Sequence, residues 1–183
     1  LYMPDMEAAV RAQEYLDECM KHQDSSGGVV ECAAYGVPAG LGEPVFQKLD
    51  ACLAGAVMSI GAVKAVEIGD GCQVSSRRGT QNNDAFCVKD GKIEKKTNHA
   101  GGILGGISDG SHIKPTPSIF SPQETVNQGG EEVTIQIKGR HDPVIVPRAV
   151  VVVESMTALV LADALLTNMA SRLEGIKGFY LGK

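Results

Sequence analysis

Two glycine pairs, Gly101-Gly102 and Gly105-Gly106, stand two residues apart, with Ile103-Leu104 between them. Glycine is costly inside regular elements and is used where the chain turns tightly or a backbone approaches something closely. A strand is therefore expected around residues 103–107, broken by sharp turns. The spacing is not that of the GxGxxG dinucleotide fingerprint, and no strand-turn-helix unit surrounds it. Two readings stay open from the residues alone. The pairs flank a bulged or closely packed strand, or they let the backbone press on a flat ring or a phosphate. The whole chain shares this character, with 22 glycines against four Phe, four Tyr and no Trp. Its core must be aliphatic.

The elements do not alternate as βαβ units. Pro4 to His22 reads as a helix, with Met6, Val10, Leu16 and Met20 at helical spacing. A strand is expected from Val29 to Tyr35, then a rigid loop from Gly36 to Pro44. A second helix is expected from about Val45 to Met58, with Phe46, Leu49, Leu53 and Val57 on one face. Ala62 to Ile68 reads as a strand, and Cys72 to Gly79 is ambiguous. Residues 85–88 and 92–96 read as a hairpin turning at Asp90-Gly91. A strand is expected at Glu132–Lys138 and a long helix from about Pro147 to Leu173, its buried face lined by Met156, Leu159, Val160 and Leu166. This order disfavours a doubly wound parallel sheet and favours an α+β layered domain.

The net charge of −5 is uneven, since residues 1–60 carry nine acids and three bases. No basic, aromatic-interleaved face for nucleic acid is present. Five cysteines (Cys19, Cys32, Cys52, Cys72 and Cys87) without a CxxC pair argue against a disulfide framework and a zinc site. Reduced thiols and a cytoplasmic protein are expected. Glu154 and Asp163 interrupt the C-terminal apolar run, so a core helix is expected there, not a membrane span.

Three segments carry chemistry. Lys114-Pro-Thr-Pro-Ser118 has φ fixed at both prolines, which pre-positions Lys114 and two hydroxyls for a phosphate or a ribityl chain; proline-rich turns are also common without any ligand. In Arg140-His141-Asp142-Pro143, Arg140 offers a planar fork to an anion, and Asp142 or His141 can move a proton. The same tetrad also suits a surface ion-pair turn. Arg78-Gly-Thr-Gln-Asn-Asn-Asp84 is a dense polar turn that orders a ligand or bonds its own backbone. His99 and His112 are further candidates, though loop histidines are often plain hydrogen-bonding residues.

Taken in order, these segments resemble chorismate synthase. The resemblance runs through Gly36-Val-Pro-Ala-Gly-Leu-Gly-Glu-Pro-Val-Phe46, Ala62-Val-Lys-Ala-Val-Glu-Ile-Gly-Asp-Gly71 and Arg78–Asp84. It continues through Asn98-His-Ala-Gly-Gly-Ile-Leu-Gly-Gly-Ile-Ser-Asp-Gly110, Lys114–Ser118, Gly139–Pro143 and Pro147-Arg-Ala149 with the helix that follows. It implies a β-α-β sandwich, with helices layered between antiparallel sheets, assembled as a homotetramer when full length. It also implies a lyase of the shikimate pathway, in aromatic amino acid biosynthesis. The reaction is 1,4-anti elimination of phosphate from 5-enolpyruvylshikimate 3-phosphate, giving chorismate with reduced FMN as cofactor; NADPH or an outside reductase would reduce the flavin.

Carried over by position, the resemblance implies that Gly61, Ala62, Gly105, Lys114, Pro115, Thr116, Pro117, Ser118 and Arg140 touch FMN. Asp142 matches an acidic residue that helps deprotonate the flavin. There are departures. The 183 residues resemble the C-terminal portion of one chorismate synthase domain. The family's two proton-donating histidines and its Arg-Ser-Ser flavin loop belong to the N-terminal half. Several family residues are missing between Ile113 and Lys114, and Ala65 stands where glycine is common. On this reading the 183 residues alone turn over no substrate. The alternative is a non-catalytic flavin-binding or oligomerisation module built on the same fold.

Overall fold

Helix α1 (Met6–Lys21) starts at Asp5, whose carboxylate accepts the Ala8 N–H at 3.0 Å, satisfying one of the donors that a helix start leaves unpaired. These coordinates are a computed structural model describing residues 3–89, 91–119, 125–126, 132–133 and 144–181. Of the expected apolar stripe on α1 only Leu16 is buried, joined by Cys19, while Met6, Val10 and Met20 are exposed.

Strand β1 (Gly28–Val29) is much shorter than the expected 29–35 run. The chain beyond it still follows the sheet, since Cys32 and Ala34 donate to the carbonyls of Pro115 and Ile113. Helix α2 (Leu49–Met58) begins four residues later than expected. Residues 43–47 close instead into a tight turn, with the Glu43 N–H on the Gln47 carbonyl. Phe46 precedes the helix and is 90% exposed, whereas Leu49, Leu53 and Val57 form its buried stripe. Such a spacing of four residues holds one face toward the core.

Strand β2 (Val63–Ile68) leads into a 3-10 turn at Gly71–Ser76. The hairpin of β3 (Phe86–Lys89) and β4 (Lys92–Lys95) forms as expected, with Gly91 at positive φ. The glycine-pair segment is a second hairpin, β5 (Ile103–Leu104) and β6 (Ile107–Ser108), turning at Gly105-Gly106. Both glycines there have positive φ, which is why one expected strand becomes two. Strand β7 (Pro115–Ile119) lies centrally in the order β1-β7-β2, antiparallel to both neighbours. β8 (Thr125–Val126) pairs antiparallel with β9 (Glu132–Val133), the start of the expected Glu132–Lys138 strand, whose residues 134–138 lie outside the described residues.

Two helices close the chain, α3 (Val146–Ala170) with Pro147 in its first turn, and α4 (Leu173–Leu181). The expected buried face of α3 is corrected. Ala149, Val153 and Thr157 are buried, while Leu159 and Leu166 are each 65% exposed. The helix is apolar nearly all round, so periodicity could not single out the stripe that meets the sheet. By length and composition α3 is apolar enough to cross a membrane; core helices pass the same test, and α3 packs here along its stripe.

Two apolar clusters result. One joins Val37, Leu41, Leu49, Leu53, Ile103 and Ile113, with Val160, Leu161 and Ala164 of α3 against it. The other joins Val30 and Val63 to Ala149 and Val153 of α3. Each fully buried leucine or valine contributes about 1.5–3 kcal/mol. The architecture is α+β, with antiparallel strands layered on helices.

Candidate functional site

Strand β7 holds Pro115–Ser118, with Lys114 just before it, so the segment is extended where a loop was expected. Prolines rarely sit inside a sheet because they lack an N–H donor. Here the Lys114 carbonyl accepts the Gly69 N–H on the β2 side, and the Pro115 carbonyl accepts the Cys32 N–H on the other. Backbone polar groups alternate sides along a strand. Both prolines therefore direct their missing donor away from β2, and the β2–β7 ladder keeps its bonds.

This ladder separates the candidate residues into two groups. At one end Val63 pairs Ile119 and Ala65 pairs Ser118, which sets Gly61 and Ala62 beside the Ser118 end. At the other end Ile68 pairs Pro115, and Lys114 follows beside Gly69. Thr116 pairs Glu67 and Pro117 pairs Val66 between them. Five residues of strand separate the two ends by about 17 Å. Gly105 lies off the ladder, on the β5–β6 turn, whose Gly106 carbonyl accepts the first N–H of α2, from Leu49, at 2.7 Å. Arg140, His141 and Asp142 lie outside the described residues.

Local geometry explains the glycines. A Cβ at Gly42 would strike the Gly106 carbonyl, and one at Gly106 would strike the Lys48 side chain. These two are packing glycines, which is one of the two readings of the motif. Gly61 and Gly105 differ: an added Cβ would meet no atom within 4 Å at either. Ala62 adopts φ 69°, a conformation that L residues rarely take.

At the Lys114 end, polar groups converge. Lys114 Nζ lies 2.6 Å from Glu31 Oε1. The hydrogen bond to Glu31 raises the Lys114 pKa against a smaller burial penalty, and the charges of Tyr35 and Asp70 add to the rise. Tyr35 stacks on His112 with ring centroids 5.3 Å apart. The Asp70 carboxylate takes an ion pair from Arg77 and a 2.6 Å contact from His99 Nδ1, itself 3.0 Å from the Arg77 guanidinium. The hydrogen bond from His99, with the Arg77 contacts, holds Asp70 below the usual carboxylate range.

Asp84 anchors the segment that carries His99. Its carboxylate accepts from Thr97 Oγ1 at 2.7 Å, from the His99 N–H at 2.8 Å and from the Ala100 N–H at 2.9 Å. Burial pushes its pKa up, but the Ala100 and His99 N–H groups, Thr97 and the Lys95 charge outweigh this and lower it. The polar turn ending at Asp84 thus serves a distant segment, beyond its own backbone.

Sequence reasoning missed Glu31, Tyr35, Asp70 and Arg77 as contributors, and had Asp84 only as the end of a polar turn. A signal existed for Asp70, set between Gly69 and Gly71, and for Asp84, which ends a dense polar turn. None existed for Glu31. A cleft of about 440 Å³ between the start of α2 and α3, lined by Gly42, Gln47, Cys52, Leu159, Asp163 and Thr167, includes none of the candidate residues.

Comparison with known proteins gives one answer. The chorismate synthase family profile matches residues 1–166. Chorismate synthase of Agathobacter rectalis is 60% identical over 98% of this chain and 51% of its own length. That of Lachnoclostridium phytofermentans is 58% identical over 98% of this chain and 51% of its own. A crystal structure of a chorismate synthase superposes with a TM-score of 0.75 at 35% identity, covering 91% of this chain and 45% of the other. The chain spans about half the length of the curated relatives it matches. The Agathobacter alignment runs over 186 positions against 183 residues here, so that relative carries extra residues within the span. The chain belongs to the chorismate synthase family.

Proposed function

We propose that these 183 residues form the C-terminal portion of a cytoplasmic chorismate synthase, which assembles as a homotetramer. The reaction is 1,4-anti elimination of phosphate from 5-enolpyruvylshikimate 3-phosphate to chorismate. The observation that carries this reading is the 60% identity to a chorismate synthase across 98% of the chain. Within that span Pro115, Thr116, Pro117 and Ser118 lie on the β2–β7 ladder, with Lys114 at one end and Gly61 and Ala62 at the other.

The described residues fit reduced FMN by their chemistry. Gly61 and Gly105 leave open space where a side chain would start, which suits a flat ring. Lys114 supplies a cation, its pKa raised further by the hydrogen bond to Glu31, and Thr116 a hydroxyl. The backbone of Pro117 and Ser118 completes the line toward Gly61 and Ala62. When bound, reduced FMN would supply electron density as phosphate leaves. Lys114 and Arg140 then balance negative charge, while Asp142 handles a proton. The β2–β7 ladder fixes its anchors before a ligand arrives, which lowers the ordering cost of binding.

The test joins this chain, in one polypeptide, to the first half of the Agathobacter rectalis relative. Chorismate formation is followed anaerobically with reduced FMN. The joined protein is expected to turn over, the 183 residues alone to give no product, and Asp142→Ala in the joined protein to lose at least tenfold in kcat. A joined protein that folds and binds FMN but makes no chorismate refutes the reading.

A further inference from the structure

We propose that the solvent-facing stripe of α3 seats the remaining half of a family-length protein, through a partner surface that is apolar along its middle and basic along both edges. This rests on the reading above, in which these 183 residues form one portion of a chain about twice as long. One side of α3 is already packed. Ala149 and Val153 join the cluster with Val30 and Val63, and Val160, Leu161 and Ala164 pack on the other cluster. On the opposite side Val151, Ala158, Leu159, Ala162, Leu166 and Met169 are all exposed. Their spacing sets them on one face, over about 27 Å of helix. Ser155, the polar residue among them, donates its hydroxyl to the Val151 carbonyl at 2.7 Å, so its donor is directed back into the helix. A helix apolar on both sides is a buried element, and an exposed apolar face of this length marks an interaction surface.

The edges of the stripe select the occupant. Glu154 borders it on one side and Asp163 on the other, and both are exposed. A second copy of this chain would return the same acids to the edges and bring together two chains of net charge −5. A lipid surface is disfavoured, because both carboxylates sit mid-helix and the inner side of α3 lies against the sheet. The relatives supply the occupant that fits. The family profile runs through Leu166, so nearly the whole stripe lies within the matched span. That span covers 51% of the Agathobacter relative, which leaves about as much chain again outside it. Asp163 also lines the cleft between α2 and α3, together with Leu159, Gln47 and Glu43. A long side chain with an apolar stem and a cationic end suits this socket, its stem against Leu159 and its charge toward the two carboxylates.

The test compares the 183-residue chain with the joined protein. Leu159→Cys and Leu166→Cys are made one at a time, and maleimide labelling of the new thiol is followed by mass spectrometry of its peptide. Labelling should be at least tenfold slower in the joined protein than in the chain alone. Leu159→Asp should leave the melting temperature of the chain alone within about 2 °C and lower that of the joined protein by at least about 5 °C. Asp163→Lys should likewise lower only that of the joined protein. Equal labelling rates in the two proteins, or a joined protein that does not fold, overturn the proposal. Labelling of the chain alone that slows as its concentration rises, with a dimer in sedimentation, makes a second copy the occupant and overturns it too. So does protection that appears only with vesicles of phosphatidylcholine and phosphatidylglycerol. A joined protein that protects both thiols yet forms no chorismate refutes the enzymatic reading and leaves this surface standing. One that forms chorismate with both thiols still reactive does the reverse.

Discussion

Ser108 Oγ accepts the Leu41 N–H at 2.9 Å across 67 positions of sequence. The same hydroxyl donates to the Pro38 carbonyl at 2.7 Å, and the Ser108 backbone pairs Gly40 and Leu41. One buried side chain thus ties the proline- and glycine-rich loop before α2 to the β5–β6 hairpin. Ser108→Ala leaves a buried N–H and a buried carbonyl short of partners and should cost about 2 kcal/mol. Urea unfolding monitored by far-UV circular dichroism would show it; a loss under about 0.5 kcal/mol contradicts this role.

Asp84 should make stability acid-sensitive. Its folded-state pKa is depressed, so its contribution is present above the unfolded value near 3.9 and is lost as pH falls through the lower folded value. Asp84→Asn turns an amide toward the Ala100 and His99 N–H donors and should cost about 2–3 kcal/mol at pH 7. The gap between the two proteins should narrow toward pH 3 in denaturation series. A gap constant from pH 7 to pH 3 would contradict the assignment.

Glycines of the site should divide into two kinds. Gly69→Ala drives a Cβ into the His99 carbonyl and the Gly101 N–H at φ 62° and should destabilise by about 3 kcal/mol or more. Gly61→Ala meets open space and should change stability by less than about 0.5 kcal/mol. It should nonetheless weaken FMN binding in the joined protein, because the added methyl occupies the space proposed for the ring. Thermal melts and fluorescence titrations, run side by side, separate the two effects.

Glu31→Gln should hardly alter stability, since an exposed pair contributes at most about 1 kcal/mol. It frees Lys114 from a competing carboxylate, so FMN binding should tighten by up to about fivefold at low salt, with the gain shrinking as salt rises. Weaker binding in this variant would mean that Glu31 itself holds the ligand.

The sequence disclosed elements more readily than their faces. α1, β2 and the β3–β4 hairpin were legible because capping, β-branched content and an Asp-Gly turn act locally. The start of α2 was not, because the Glu43–Gln47 turn and the docking of Leu49 on Gly106 depend on residues far along the chain. The face of α3 was hidden by its all-round apolar character. Among site residues, Lys114 and the glycines were found through motifs, yet their extended conformation depends on pairing with β2. Glu31 and Tyr35 carry no local mark; only the fold brings them to Lys114.

Helix α3 supplies residues to both apolar clusters, Ala149 and Val153 to one, Val160, Leu161 and Ala164 to the other. A single rod shared by two cores makes their melting interdependent: releasing it from either uncovers apolar surface in both. Amide exchange in β2 and α2 should accordingly slow or quicken together when Val153 is truncated, even though Leu49 and Leu53 belong to the other cluster.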